Sequence, residues 1–335
     1  MQSIELRPPY LILIGDDDDP TYAKTGFGIV HWRRDSVAGQ LRFDGCPLDL
    51  GVPDMTVAQA AAAGVRTLVI GVAPIGGVVP DAWWEVIVEA AAAGLDIACG
   101  LHLRLADVPE VRDAAARSGA RLIDVRVPPA GIPVGTGRKR SGKRLLTVGT
   151  DCAVGKKYSA LAIHKALEDA GRKATFRATG QTGIMLAGSG IPIDAVVADF
   201  VSGAAEMLSP DNDGDHWDVI EGQGSLFHPG YAAVSLGLLH GSQPDAIVVC
   251  HDATRSEIAG WPGYEPPSIP ECSERNILLG KLTNPNIRCV GVCVNTSALD
   301  DQARSDYLSA IRHATGLPCL DPVIDGCDAI VGGLG

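Results

Sequence analysis

Nine consecutive residues, Gly149-Thr150-Asp151-Cys152-Ala153-Val154-Gly155-Lys156-Lys157, place glycines and a lysine pair between an apolar run at 145–148 and a helical pattern that closes at Gly171. Glycine lets backbone N–H groups converge on an anion. The helix N-terminus adds a favourable dipole, and lysine adds a full charge. That chemistry is phosphate binding, so Gly149, Thr150, Asp151, Cys152, Val154, Gly155, Lys156 and Lys157 form the candidate cofactor-binding set. Loops of this kind place Ser or Thr after the lysine, and its hydroxyl ligates Mg²⁺. Here that place holds Lys157, followed by Tyr158 and Ser159. A second cation repels Mg²⁺, so the loop suits a phosphate-bearing ligand that needs no metal, such as coenzyme A, and no metal site is expected. The competing reading is a structural glycine turn.

Further polar residues follow other strand-like runs, and parallel sheets build their binding crevice at such ends. Gln181 and Thr182 come after the run 174–177, which ends on Arg177. Asp199 ends a segment that begins with the run 195–198. Glu221 follows 219–220, with His228 just beyond, and Asp252 and Arg255 follow 246–250. Each has a bland reading alone: Asp199 can cap a helix and Arg255 can face water. As a set, on successive strands of one sheet, they converge on the phosphate loop. The loop Gly71-Val72-Ala73-Pro74-Ile75-Gly76-Gly77 lacks a lysine and the GxGxxG pattern, and reads as a tight turn. Trp83 and Trp84 read as packing. His31, His102, His164, His240 and His313 show no ligand spacing.

The elements that must hold these residues alternate between strand and helix. Strands are expected at 10–14, 28–31, 67–70, 95–98 and 121–125, with helices at 55–63, 81–93 and 109–117. The second half adds strands at 145–148, 174–177, 195–198, 219–220, 246–250 and 287–294, and helices at 156–170, 231–239, 273–279 and 302–313. This alternation predicts α/β architecture with parallel sheets covered on both faces. Prolines, glycines and the basic cluster Arg138, Lys139, Arg140, Lys143 and Arg144 mark a boundary near residue 140. Domains are therefore expected at 1–140 and 141–335. The basic cluster reads either as a solvated linker or as an anion site.

Composition narrows the partners. With 28 Lys and Arg against 40 Asp and Glu, the net charge of −12 disfavours nucleic acid and anionic membrane as partners. No charge-free apolar run reaches transmembrane length. The first residues carry no basic n-region, so no signal peptide is expected. Nine cysteines without zinc spacing read as reduced thiols, and a cytoplasmic location is expected.

The segments GTDCAVGKK (149–157), ATGQTGI (178–184), IDAVVADFVSGAAE (193–206), EGQGSLFHP (221–229) and HDATR (251–255) resemble a family long known only as a domain of unknown function. The resemblance implies two parallel-sheet domains, Rossmann-like in the N-terminal half and P-loop NTPase-like in the C-terminal half. The family includes bacterial D-glutamate N-acetyltransferases, whose product passes to a partner dehydratase. A wider P-loop group includes dethiobiotin synthetase, which has a similar GTDxxVGK loop and an EGxG segment, uses ATP, and has Thr where this chain has Lys157.

The implied activity is transfer of acetyl from acetyl-CoA to the amine of a small acidic amino acid, D-glutamate. The rivals are an ATP- and Mg-dependent ligase or kinase of the dethiobiotin synthetase type, with Ser159 reaching the metal, and a non-enzymatic nucleotide or CoA sensor. Acetyl transfer needs a general base, for which Glu221, Asp199, His228 and Asp252 are candidates. Glu221 has a second reading as a vestigial metal ligand. Arg177 and Arg255 are candidates for the acceptor's carboxylates, with Gln181 and Thr182 also at the substrate. The loop amides would serve CoA phosphate. A homo-oligomer is expected.

Overall fold

Short β-branched and aliphatic runs form two separate parallel sheets in this chain, whose computed structural model describes residues 4–20, 22–73 and 79–335. The first sheet contains β1 (Tyr10–Gly15), β2 (Val37–Arg42), β3 (Thr67–Ile70), β4 (Asp96–Cys99) and β5 (Leu122–Asp124), in the order β2-β1-β3-β4-β5. Every neighbouring pair is parallel. Around it lie α1 (Lys24–Trp32), α2 (Val57–Ala62), α3 (Asp81–Ala92) and α4 (Pro109–Ser118). Leu11, Leu13, Leu68, Ile70 and Ile97 are buried, as expected of strands covered on both faces. The order reverses between β1 and β3, the switch point of a Rossmann-like sheet. Trp83 packs in this core and donates its indole N–H to Asp16 Oδ1 at 2.8 Å.

Two local expectations differ. Residues 28–31 lie within α1, because the buried Thr25, Gly26, Gly28 and Ile29 recur at helical spacing. β2 was not anticipated, because its central Gln40 is polar. That side chain is buried and fully used: Nε2 donates to Asp49 Oδ1 (2.8 Å) and Val52 O (3.0 Å), and Oε1 accepts from Leu50 N–H (2.8 Å). Gly76 and Gly77 of the first glycine-rich loop lie outside the described residues.

The second sheet begins with β6 (Lys143–Gly149), followed by α5 (Lys156–Asp169) and β7 (Ala174–Arg177). The next helix, α6 (Gln181–Ala187), belongs with the first sheet. The second sheet then continues through α7 (Val201–Leu208), β8 (Trp217–Ile220), α8 (Ala232–Ser242), β9 (Ala246–Asp252), α9 (Ile269–Gly280), β10 (Arg288–Asn295), α10 (Asp301–Thr315), β11 (Cys319–Leu320) and α11 (Asp328–Gly332). Its order is β11-β10-β9-β6-β8-β7, all parallel, with β6 interior. The expected strand 195–198 is instead covered by two 3₁₀ turns, Ile193–Ala195 and Ala198–Phe200.

The two compact units are Gln2–Val127 with Gln181–Ala195, and Pro128–Gly180 with Val196–Gly335. Within the first, Thr182 Oγ1 lies 2.9 Å from Thr25 Oγ1 on α1, and Gln181 Nε2 donates to that Thr25 oxygen at 3.2 Å. These bonds fasten α6 to α1.

The basic cluster is structural. Arg140 and Arg144 are buried. Arg140 donates to the carbonyls of Glu206 (2.9 Å), Ser209 (2.6 Å), Ser242 (3.2 Å) and Gly241. Those carbonyls lie at the C-terminal ends of α7 and α8, where unsatisfied acceptors and the dipole favour a cation. Burial and the neighbouring Arg144 push Arg140 down to about 10. No helix among the described residues is long and apolar enough to cross a membrane.

Candidate active site

The loop after β6 is anchored from several sides. Val154 is buried and plugs the core beneath it. Thr150 N–H donates to Cys250 O at 3.1 Å, and Ser225 Oγ donates to Gly149 O at 2.8 Å. The Asp151 carboxylate is fully buried. It accepts from Cys152 N–H (2.6 Å) and Ala259 N–H (2.8 Å) and pairs with Arg255 Nη1 at 3.2 Å. Gly155 takes φ 94° as the residue before α5, a left-handed conformation that favours glycine. Ala153 also sits at positive φ, 55°, which costs a non-glycine residue about 1–2 kcal/mol. Five residues separate Gly149 from Gly155, one more than in GxxxxGK, so Thr150 occupies the place of that pattern's first glycine.

Lys156 opens α5 and reaches back across the loop to donate from Nζ to Asp151 O at 2.7 Å. Burial pushes its pKa down, although nearby Cys152, Cys250 and Asp151 favour the charge. Lys157 is half-buried, with its ammonium 5.1 Å from the centroid of the Tyr158 ring. Ser159 is turned inward, donating to Gly155 O at 3.1 Å. It therefore does not replace the hydroxyl that position 157 lacks.

Glu221 follows β8 directly and is 4% exposed. Thr179 and Gly180 N–H groups both donate to its Oε2 at 3.0 Å. Gly222 follows, with its N–H on Thr147 Oγ1 at 2.9 Å. A Cβ there would lie 1.7 Å from Thr147 O and 3.0 Å from Lys156 Cδ, so only glycine allows this approach and Glu221 is held beside the loop.

His228 stacks on Tyr231 and meets Trp261 edge-on, each with ring centroids 4.5 Å apart. Gly230 N–H donates to its Nδ1 at 3.1 Å, so Nε2 carries the proton, facing Ala259 O at 3.3 Å. Donor atoms of Asp151, Cys152 and His228 lie within 4.8 Å of one another. The Arg255 guanidinium on Asp151 makes that group a poor fit for a cation.

Asp252 ends β9. Burial raises its pKa, but hydrogen bonds from Thr254 Oγ1 (2.7 Å), Thr254 N–H (3.0 Å) and Asn295 Nδ2 (2.9 Å) outweigh this and hold it below the usual carboxylate range. His251, beside it, lies 2.9 Å from both Thr150 Oγ1 and Tyr307 Oη, and burial lowers its pKa.

Glu221, His228 and Arg255 thus gather around the loop, while the Asp252 side chain is turned to Thr254 and Asn295. Arg177 is instead buried in a polar network, its Nε donating to Asp218 Oδ1 at 2.9 Å. Asp199 is exposed on a 3₁₀ turn and not at a strand end. Gln181 and Thr182 are buried in the first unit. Ser225 and His251, which lie in the polar segments after β8 and β9, hold the loop together with Ala259, and Thr147 holds the turn after β8; sequence reading does not single out Thr147 or Ala259. A hydroxyl inside the apolar run of β6 was the available signal for Thr147. The Ala259 contacts are backbone bonds that no side chain announces.

A parallel sheet whose central strand feeds a glycine- and lysine-bearing loop into a helix defines the C-terminal half as a P-loop domain, paired with a Rossmann-like N-terminal half. Residues 41–128 match a domain of unknown function described as the DUF1611_N Rossmann-like domain, and 133–331 match its DUF1611_C P-loop counterpart. The chain belongs to the DUF1611 family. It is 46% identical over 329 residues to a Tritonibacter scottomollicae protein named D-glutamate N-acetyltransferase, covering 98% of this chain and 99% of that one. A Pseudoalteromonas protein of the same name is 45% identical over 331 residues, covering 99% and 100%. The crystal structure of a DUF1611 family protein from Anabaena variabilis ATCC 29413 is 33% identical, with a TM-score of 0.89, covering 98% and 99%.

Proposed function

We propose that the chain is an N-acetyltransferase that moves acetyl from acetyl-CoA to the amine of an acidic amino acid, with D-glutamate the first acceptor to test. The observation that carries this reading is end-to-end similarity, at 46% and 45% identity, to two proteins of that name. The loop's chemistry supports it. Lys157 stands where a Mg²⁺-binding hydroxyl would be, and Ser159 faces inward. A thioester is already activated, so its acyl transfer needs no ATP.

The reaction brings two kinds of anion that the loop can receive, the donor's phosphates and the acceptor's carboxylates. The amine must lose a proton to attack the thioester carbon, and the departing CoA thiolate must gain one. Glu221 is the proposed base, because two backbone N–H groups fix its carboxylate beside the loop. Both Asp252 oxygens already accept hydrogen bonds, Oδ1 from Thr254 and Oδ2 from Asn295. The His228 lone pair is taken by Gly230 N–H.

The test is a panel of D- and L-amino acids with acetyl-CoA, read by mass spectrometry of the products. N-acetyl-D-glutamate as the preferred product is expected. Acetylation of no acidic amino acid refutes the reading.

A further inference from the structure

Building on the acetyltransferase reading, we propose that the anion held by the loop at 149–157 is a carboxylate of the acceptor and not a phosphate of the donor. The candidate bases Glu221 and His228 lie close to the loop. Glu221 precedes Gly222, whose Cβ position is 3.0 Å from Lys156 Cδ. His228 offers a nitrogen within 4.8 Å of Asp151 and Cys152 donor atoms. Arg255, three residues beyond Asp252, pairs with Asp151 at 3.2 Å. With Glu221 or His228 taking the proton, the reacting amine sits against the loop.

Molecular length then separates the two anions. In coenzyme A about thirteen bonds lie between the pyrophosphate and the sulfur, on the order of 16 Å when extended, since a zigzag chain advances about 1.2 Å per bond. A pyrophosphate seated in the loop would carry an extended thioester far from every one of these bases. In glutamate the amine is only about four bonds from the side-chain carboxylate, roughly 5 Å, and closer still to the α-carboxylate. A carboxylate in the loop therefore leaves the amine within reach of Glu221.

Charge agrees with this assignment. The buried Asp151 is already balanced by Arg255, which leaves Lys156 as the loop's buried cation. Burial lowers the Lys156 pKa, and an anionic guest beside Nζ opposes that shift. A carboxylate supplies one negative charge, matching the single buried lysine of the loop, and needs no Mg²⁺. Acidic amino acids are then selected by the same backbone N–H groups that other proteins turn to phosphate.

Calorimetry on the full chain tests this without turnover, using D-glutamate and CoA as separate titrants against wild type and Lys156→Ala. The expected result is a tenfold to hundredfold loss of D-glutamate affinity, with the Kd for CoA within twofold. Loss of CoA affinity alone, loss of both alike, or loss of neither overturns the proposal. Lys156→Met, which keeps most of the side chain's length without its charge, provides a second arm if the alanine variant does not fold, with the same expected loss for D-glutamate and not for CoA. Unchanged D-glutamate affinity in that variant overturns the proposal. A wild-type protein that binds D-glutamate through Lys156 yet makes no N-acetyl product would instead sink the acetyltransferase reading.

Discussion

Replacing Glu221 with Gln removes a charge while keeping the shape. The amide oxygen can still accept from Thr179 and Gly180, which now donate to Oε2 at 3.0 Å, so the turn after β8 should survive. What is lost is the capacity to take the amine's proton. A positioned base contributes about 10²–10⁴-fold, so kcat should fall by that factor, equivalent to about 3–5 kcal/mol of barrier. The Kd for D-glutamate should move little. The remaining activity then depends on amine deprotonated by water, so it should rise about tenfold per pH unit below the amine's pKa. Wild type should show a flatter profile. The assay is CoA thiol release at saturating acetyl-CoA, run as a pH series for both proteins. If kcat of the variant stays within a few-fold of wild type, Glu221 is not the base. If kcat falls without recovery at high pH, the loss is structural and the proton-transfer argument fails.

Three further outcomes concern the scaffold. Gly222→Ala puts a Cβ 1.7 Å from Thr147 O, so β6 and β8 must part. The cost should be at least about 1–3 kcal/mol, seen as a lower Tm together with lost activity; an unchanged Tm contradicts the packing described. In the first unit, Asp96 is buried and accepts from Arg7 Nε (2.7 Å) and Arg121 Nε (2.9 Å). Burial raises its pKa, but the two guanidiniums outweigh it and hold Asp96 at about 2. Asp96 therefore stabilises the fold above the ordinary carboxylate pKa of about 4, and that contribution is lost as pH falls toward 2. Asp96→Asn should cost about 1–3 kcal/mol at pH 7, and chemical denaturation should show the difference from wild type shrinking in acid. Arg140→Met leaves the carbonyls at the ends of α7 and α8 without their donor and should lower the denaturation midpoint. Equal midpoints would return Arg140 to the role of a solvated linker residue.

The phosphate loop and the central place of residues 145–148 are legible in the sequence because their signals are local. An aliphatic run, glycines, a lysine and a helical pattern stand side by side. The same holds for Glu221, Asp252 and Arg255, which follow strands that can be read directly. Other features depend on distant partners. Arg140 and Arg144 look like a solvated charge run, and only distant partners make their burial favourable: the carbonyls ending α7 and α8 for Arg140, and Ser209 Oγ with Pro210 O for Arg144. Gln40 disguised β2 because its satisfying groups lie in the loop at 49–52. The run 28–31 is too short for its apolar residues to distinguish strand from helix. Nothing local marks residues 181–195 as part of the first unit, since the groups that hold them, on Ile4, Thr25, Arg33 and Arg126, are distant in the chain. Asp199 was placed at a strand end by the aliphatic run before it, which turns as 3₁₀ helix.

The most direct measurement is the rate of CoA thiol release from acetyl-CoA by the purified protein, with EDTA present and ATP absent, as D-glutamate is added. Release should depend on D-glutamate, be stoichiometric with N-acetyl-D-glutamate and be unaffected by EDTA. Release that requires Mg²⁺ and ATP, or that ignores every acidic amine, contradicts it.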